Sequence, residues 1–271
     1  MAEREKLTWV LEAEVFPDSH ERMHAAVAEA GHEVLLWKDA WLEDDSWPRL
    51  SGTPVVFHGS LGNAAQLAAQ GAWTPGAYCN TALFHCSSWY PGASAWLLQA
   101  NWVRTTAAGL VESLPAVLGQ LGDPDRFFVR PDSPLKPFSG RVLHRDAVTL
   151  AALDHGFYFD DELLPVIVAP MRNVGREWRY VVVGSDVVAG SAYLPDGRTA
   201  LPDDPSGEPW RTAAQIAREL DAPEQVYVLD VCESDGHLRL LELNPFSGAD
   251  LYACDRREVV AAVSACALAA R

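Results

Sequence analysis

The sequence is short of positive charge: 21 Lys and Arg stand against 37 Asp and Glu in 271 residues, a formal net charge of −16. Such a balance argues against non-specific binding to a phosphate backbone or an anionic membrane, because the field of the whole molecule repels both. No run reaches the ~18 apolar residues of a spanning helix, and Met-Ala-Glu-Arg-Glu-Lys at the start lacks the apolar core of a secretory signal. The expected location is therefore cytoplasmic. Cysteine is scarce and odd in number, five in all, so no disulfide framework is expected, and Cys79 and Cys86 are too far apart for a short zinc spacing. Also lacking are a glycine fingerprint for a dinucleotide, a Ser-His-Asp or Cys-His constellation among the scattered histidines, internal repeats and low-complexity segments. A chain of this length holds one large domain or two small ones.

What is present begins with an α/β pattern. Residues 7–16 read as a strand, Asp18-Ser19 as the cap of a helix carrying Met23, Val27 and Ala30, and Gly31 as its end. Residues 32–37 and 54–57 read as strands and 61–70 as a small-residue helix, giving β-α-β-β-α with a parallel core. Gly59-Ser60-Leu61-Gly62-Asn63 is either an anion seat at a helix start or a plain strand-to-helix turn. The aromatic-rich stretch 72–103 is either a substrate wall or a core between layers. Residues 105–121 carry Leu110, Leu114, Val117, Leu118 and Leu121 at helical spacing, and Gly122-Asp123-Pro124-Asp125 reads as a boundary loop.

The next segment reverses the charge balance. Residues 126–179 hold eight of the 21 Lys and Arg, about twice an even share, which suggests a bound polyanion of limited size. Within it, residues 126–131 form a short strand ending in Arg130, and 132–140 a polar loop with Lys136. Residues 146–153 read as a short helix and 163–168 as a strand leading into Ala169-Pro170-Met171. Residues 177–183 and 187–193 form a hairpin about Gly184, whose alternation puts Glu177 and Arg179 on one face. Residues 208–220 are an amphipathic helix. The last helix, 256–270, is apolar nearly all round, which predicts burial in the core or against another subunit and leaves a homodimer open.

Leu240-Leu241-Glu242-Leu243-Asn244-Pro245 places a carboxylate and an amide two apart on an apolar strand, hence on one face. Ser234-Asp235-Gly236-His237 folds this run back on 226–232, so Asp230 can lie near Glu242 and Asn244. Mg²⁺ takes one or two carboxylates and completes its octahedron with water and phosphate oxygens, and these three residues are such a set. The alternative makes Glu242 a solvated strand residue and Asn244-Pro245 the start of a turn.

The whole order runs from a strand ending in a cation, through a loop, a helix and a strand into a linker, to a hairpin with Glu-x-Arg, a helix, and an Asp followed by Glu-x-Asn-Pro on the closing strands. It resembles the ATP-grasp superfamily over about residues 125–255, in the branch where arginine replaces the first nucleotide-binding lysine. The Glu-x-Asn-Pro with an Asp twelve positions earlier is the specific part. The resemblance implies a mixed α/β fold. In it a parallel α/β pre-grasp domain (1–122) precedes an ATP-grasp domain (123–271) with antiparallel sheets, split near residue 168 into a small and a large subdomain. It also implies that Arg130 contacts the α- and β-phosphates, that Lys136 lies in the loop closing over the triphosphate and assists transfer, and that Val168, Ala169 and Met171 line the adenine. Glu177 would lie beside the nucleotide and Arg179 would face the γ-phosphate or acyl phosphate. Asp230, Glu242 and Asn244 would hold one or two Mg²⁺ ions, with Mn²⁺ as a substitute. The implied activity is ATP-dependent ligation of a small-molecule or peptide carboxylate to an amine through an acyl phosphate. A nucleotide-binding module without turnover and a kinase are the alternatives.

Overall fold

The computed structural model describes residues 6–44, 46–48, 50, 52–153, 161–193 and 200–270. The fold is mixed α/β, with one parallel sheet and two sheets of antiparallel strands. Its residues cluster into two compact units. One comprises Met1–Asn80, Arg176–Val231 and Glu242–Arg271, the other Thr81–Gly175 and Cys232–Leu241.

The first unit opens with β1 (Thr8–Leu11), β2 (Glu33–Leu36), β3 (Val55–His58) and the two-residue β4 (Pro75–Gly76), parallel in the order β2-β1-β3-β4. All four residues of β1 and of β3 are buried. The strand expected over 7–16 stops at Leu11, and Glu12 turns its carboxylate to the start of the helix Leu61–Gln70, accepting from the Ser60 amide (2.8 Å) and Asn63 Nδ2 (3.1 Å). The anion at that helix start is thus the chain's own, and a Cβ at Gly59 would fall 2.5 Å from the Glu12 side chain. The first helix, Pro17–Glu29, begins earlier than the Asp18-Ser19 pattern predicted, because Pro17 fits a first turn that needs no N–H. Ser19 is buried within it and accepts from Arg256. A short helix, Ala40–Asp44, adds an element the sequence pattern did not show.

The second unit holds β5 (Val103–Thr106), β6 (Arg126–Pro131), β7 (Arg141–His144) and β8 (Pro165–Pro170), antiparallel in the order β5-β8-β6-β7. The single helix expected over 105–121 is instead the end of a strand and two short helices, Ala107–Glu112 and Leu114–Gly119. Pro115 starts the second one, having no N–H to continue the first, and the Thr106 hydroxyl caps the first by accepting from the Gly109 amide. Their Leu110, Val117 and Leu118 pack on Phe127, Val129, Val166 and Val168 from one face of the sheet. The expected helix at 146–153 reduces to a 3₁₀ turn, Arg145–Ala147, and one α-turn, Leu150–Leu153. Phe84, Trp89 and Tyr90 of the aromatic stretch are buried, Tyr90 standing edge-on to both Trp89 and Trp102.

The third sheet contains β9 (Glu177–Val183), β10 (Asp186–Tyr193), β11 (Ala200–Pro202), β12 (Val226–Ser234) and β13 (His237–Pro245) in the order β11-β10-β9-β12-β13. The tip of the β12–β13 hairpin belongs to the second unit and the rest of the sheet to the first. Val181, Ala189, Val226 and Val228 form a core with Val259, Val260, Val263 and Ala267 of the closing helix Arg256–Ala269. That helix buries one face and exposes Arg257, Glu258, Ala261 and Ala265. It is therefore amphipathic by packing, with alanines outward, and not apolar-covered all round. On the opposite face of the sheet Tyr180 meets Trp210 edge-to-face with centroids 5.6 Å apart, and Gly190 leaves room for both rings.

Candidate functional site

Strand alternation carries the same face of the third sheet from core to polar site. Along β9, Val183 and Val181 lie on the core side, and two and four residues earlier come Arg179 and Glu177. Along β12, Val226 and Val228 are followed by Asp230, which is 7% exposed. Arg179 grips Asp230 bidentately, Nε to Oδ1 at 2.8 Å and Nη2 to Oδ2 at 2.7 Å. Its Nη1 donates to the Asp250 carbonyl at 2.9 Å, and the guanidinium lies 4.6 Å from the Tyr252 ring centroid. Asn244 Nδ2 donates to Asp230 Oδ2 (3.1 Å) and to Glu242 Oε2 (3.2 Å). Five of the residues singled out from sequence, Glu177, Arg179, Asp230, Glu242 and Asn244, are thus brought together in the first unit.

The charges in this group do not cancel. Burial raises the Glu177 carboxyl above the usual range, Asp230 and Glu242 raise it further, and Arg179 pulls the other way. Burial works against the Arg179 charge, but Asp230 outweighs it, and the guanidinium stays protonated. The donor set fits a hard divalent cation. Each carboxylate oxygen has two acceptor sites, so Asp230 Oδ1, bonded only to Arg179 Nε, keeps one, and Glu242 and the Asn244 amide supply further oxygens. Among the described residues no three His, Cys, Asp or Glu side chains gather into a metal cage. Mg²⁺ does not require one, because it keeps water and phosphate oxygens in its shell.

The remaining sequence-chosen residues lie in the second unit. Arg130 is half-buried near the end of β6, and Lys136 is exposed in the following loop with a left-handed backbone, φ 49°. The Val168 side chain points into the apolar core beside Val129, whereas Ala169, paired with Phe128, faces the other way, and Met171 is exposed just past β8. Register adds a residue that the sequence reading missed. Arg104 and Arg130 are both cross-strand partners of Ile167, one from β5 and one from β6, so the two arginines share the sheet face opposite the core. Arg104 Nε donates to Oδ2 of the fully buried Asp132 at 2.8 Å, and Asp132 also accepts from the Ser87 amide and hydroxyl, both at 2.7 Å. The alternating Val-Arg-Thr-Thr of 103–106 was the available signal.

A two-stranded hairpin carrying Asp, Glu-x-Asn and a clamped arginine, together with an antiparallel sheet bearing paired arginines, is an ATP-grasp arrangement. An ATP-grasp domain family, the third family of its clade, matches residues 70–263, and the chain belongs to that family. No curated protein sequence matches the chain. Among solved structures, the ATP-grasp ligase PsnB complexed with minimal precursor is similar over 97% of this chain and 99% of that one, with a TM-score of 0.61 and 14% identity. The D-cycloserine synthetase DcsG gives a TM-score of 0.62 at 16% identity over 98% of this chain and all of that one. D-alanine–D-alanine ligase from Bacillus anthracis complexed with ATP gives 0.63 at 11% identity over 98% of both chains. At these identities the likeness is one of fold. Among the described residues no helix is long and apolar enough to cross a membrane.

Proposed function

We propose that this chain is an ATP-dependent ligase that activates a carboxylate as an acyl phosphate and joins it to an amine. The observation that carries the reading is the Arg179 guanidinium, fixed by Asp230 and the Asp250 carbonyl beside the amide-linked pair Asp230 and Glu242. In the first step a substrate carboxylate oxygen attacks the γ-phosphorus and the bond to the β-phosphate oxygen breaks, releasing ADP. In the second an amine nitrogen attacks the acyl carbon, the C–O bond to phosphate breaks, and the nitrogen sheds its proton as phosphate leaves.

In this reading Arg130 and Lys136 hold ATP phosphates, with Arg104 as a further cation, and Val168, Ala169 and Met171 lie along the adenine. Glu177 is placed near the nucleotide. Arg179 stays protonated and oriented, so it meets the charge that develops on the transferring oxygens without reorganising. Asp230, Glu242 and Asn244 would hold Mg²⁺ or Mn²⁺, which supplies charge neutralisation between the β- and γ-phosphates. Family membership and the fold shared with PsnB, DcsG and D-alanine–D-alanine ligase support ligation over other uses of ATP. The test is ADP and phosphate release with Mg-ATP over a matrix of carboxylates and amines. Release of both products only when a carboxylate and an amine are present together is expected. A phosphorylated product with no free phosphate would make the chain a kinase, and ATP binding without release under any pairing would make it a non-catalytic module.

A further inference from the structure

Beside Arg179 the first unit contains a cavity of about 410 Å³, walled by Phe16, Tyr193 and Tyr252 and bordered by Arg22 and Asp250. Its floor is built by arginines. The Tyr252 carbonyl accepts from Arg256 Nη2 (2.8 Å) and Arg22 Nη2 (3.2 Å), while Arg256 Nη1 takes the carbonyls of Leu251 and Cys254. The Asp250 carbonyl is taken by Arg179, and Asp250 Oδ1 accepts from the Tyr252 amide at 2.9 Å. Tyr252 is held at φ 46°, a conformation that a bulky residue keeps only when its surroundings impose it. Its ring meets Tyr193 edge-to-face with centroids 4.3 Å apart. The cavity is pre-formed, and its aromatic wall is fixed before any ligand arrives.

The geometry points to an aromatic α-amino acid as the occupant, with its ring among Phe16, Tyr193 and Tyr252, its carboxylate on Arg22 and its amine on Asp250. This deepens the ligase reading and rests on it. A cavity of about 150 Å³ suffices for a benzene ring, so this one has room for a ring and an amino-acid head group. Two opposite charges at its border match a zwitterion better than a simple acid or a simple amine. Asp250 is the charge tied to Arg179, so the amine is the end that faces the transfer site and the ligand is the nucleophile. The carboxylate that is activated comes from the other substrate.

The test is equilibrium binding by calorimetry to the full chain, with and without AMP-PNP and Mg²⁺, using both enantiomers of phenylalanine, tyrosine and alanine, plus phenethylamine and 3-phenylpropionate. Phenylalanine or tyrosine should bind saturably with Kd below about 1 mM, and alanine, phenethylamine and 3-phenylpropionate each at least tenfold more weakly. Arg22→Ala, an exposed change that leaves Arg256 on the Tyr252 carbonyl, should erase the preference for phenylalanine over phenethylamine. Asp250→Asn should erase the preference over 3-phenylpropionate. Equal binding of alanine, or retained preferences in both variants, would overturn the assignment, as would no aromatic binding with or without nucleotide. Nucleotide binding is scored in the same titrations: if AMP-PNP binds and no amino acid does, the cavity assignment fails while the ATP reading stands, and the converse result separates them the other way.

Discussion

Glu242→Gln tests the acidic cluster through a stability change and a binding change of opposite sign. Glu242 Oε2 and Asp230 Oδ2 share the Asn244 amide nitrogen at 3.2 and 3.1 Å, so the two oxygens lie no more than about 6.3 Å apart, a repulsion of about 2.6 kcal/mol at an effective dielectric of ~20. Arg179, 2.7 Å from the same Asp230 oxygen, cancels most of this. Removing the Glu242 charge also relieves Glu177, whose carboxyl Glu242 helps to raise. The glutamine oxygen still accepts from Asn244. The variant without ligands should therefore be more stable than the parent by about 0.5–1 kcal/mol in urea at pH 7.5 and low salt. With Mg-ADP at a hundredfold excess over Kd the parent gains about 2.7 kcal/mol, and a tenfold loss of affinity in the variant would cut that gain to about 1.4 kcal/mol. EDTA should remove the difference in ligand-induced gain and leave the difference in ligand-free stability. A variant less stable than the parent, or one with an unchanged Mg-dependent gain, would refute the placement of Glu242 in an electrostatically frustrated cation site.

Arg130→Ala should weaken Mg-ADP binding more than Arg179→Lys does, while Arg179→Lys, which keeps a charge beside buried Asp230 but not the bidentate fork, should mainly lower turnover; titration and product release measured side by side decide this. Arg104→Ala should weaken nucleotide binding and cost about 1 kcal/mol of stability near neutral pH. Burial pushes the Asp132 carboxyl up, but Ser87 and Arg104 together hold it below the usual range, so this contribution is present above about pH 4 and is lost as pH falls through the folded-state value. Glu224 behaves oppositely: burial lifts its carboxyl to about 7 against the Asn80 amide, which lowers it. The protein should lose stability as pH rises from about 4.5 to 7, and Glu224→Gln should be neutral at pH 4 yet stabilising by about 1–3 kcal/mol at pH 8 in denaturant titrations. Gly190→Ala would put a Cβ 2.7 Å from the Tyr180 ring and 2.8 Å from Trp210, and should cost about 1–3 kcal/mol in the same assay.

What was legible in the sequence followed from local periodicity. Glu242, Asn244 and Asp230 meet because strand alternation and a two-residue turn, Asp235-Gly236 with both φ positive, suffice to bring them to one face. The helix Leu61–Gln70 kept its expected bounds because its cap, Ser60, and its stop, Gly71, are adjacent in the chain. Arg104 was hidden because leucines at helical spacing after it masked a strand whose partner, β8, begins about sixty residues later. The cavity was invisible for a related reason. Its floor depends on Arg22, Arg179 and Arg256 converging on one loop from three distant segments, and on a tyrosine at positive φ that no propensity would place there.

The third sheet divides each strand between two kinds of constraint. From Val181 and Val228 inward, packing beneath the closing helix asks only for apolar volume on alternate positions. From Arg179 and Asp230 outward, it asks for particular atoms. Inner positions can therefore drift among valine, isoleucine and leucine over evolutionary time, and outer ones can be recruited to a new acceptor without renegotiating the core. What cannot drift is the parity that links them: an insertion or deletion between residues 179 and 181, or between 228 and 230, would send every outer side chain to the wrong face. Descent in such a sheet should leave a record of conserved spacing with little conserved identity.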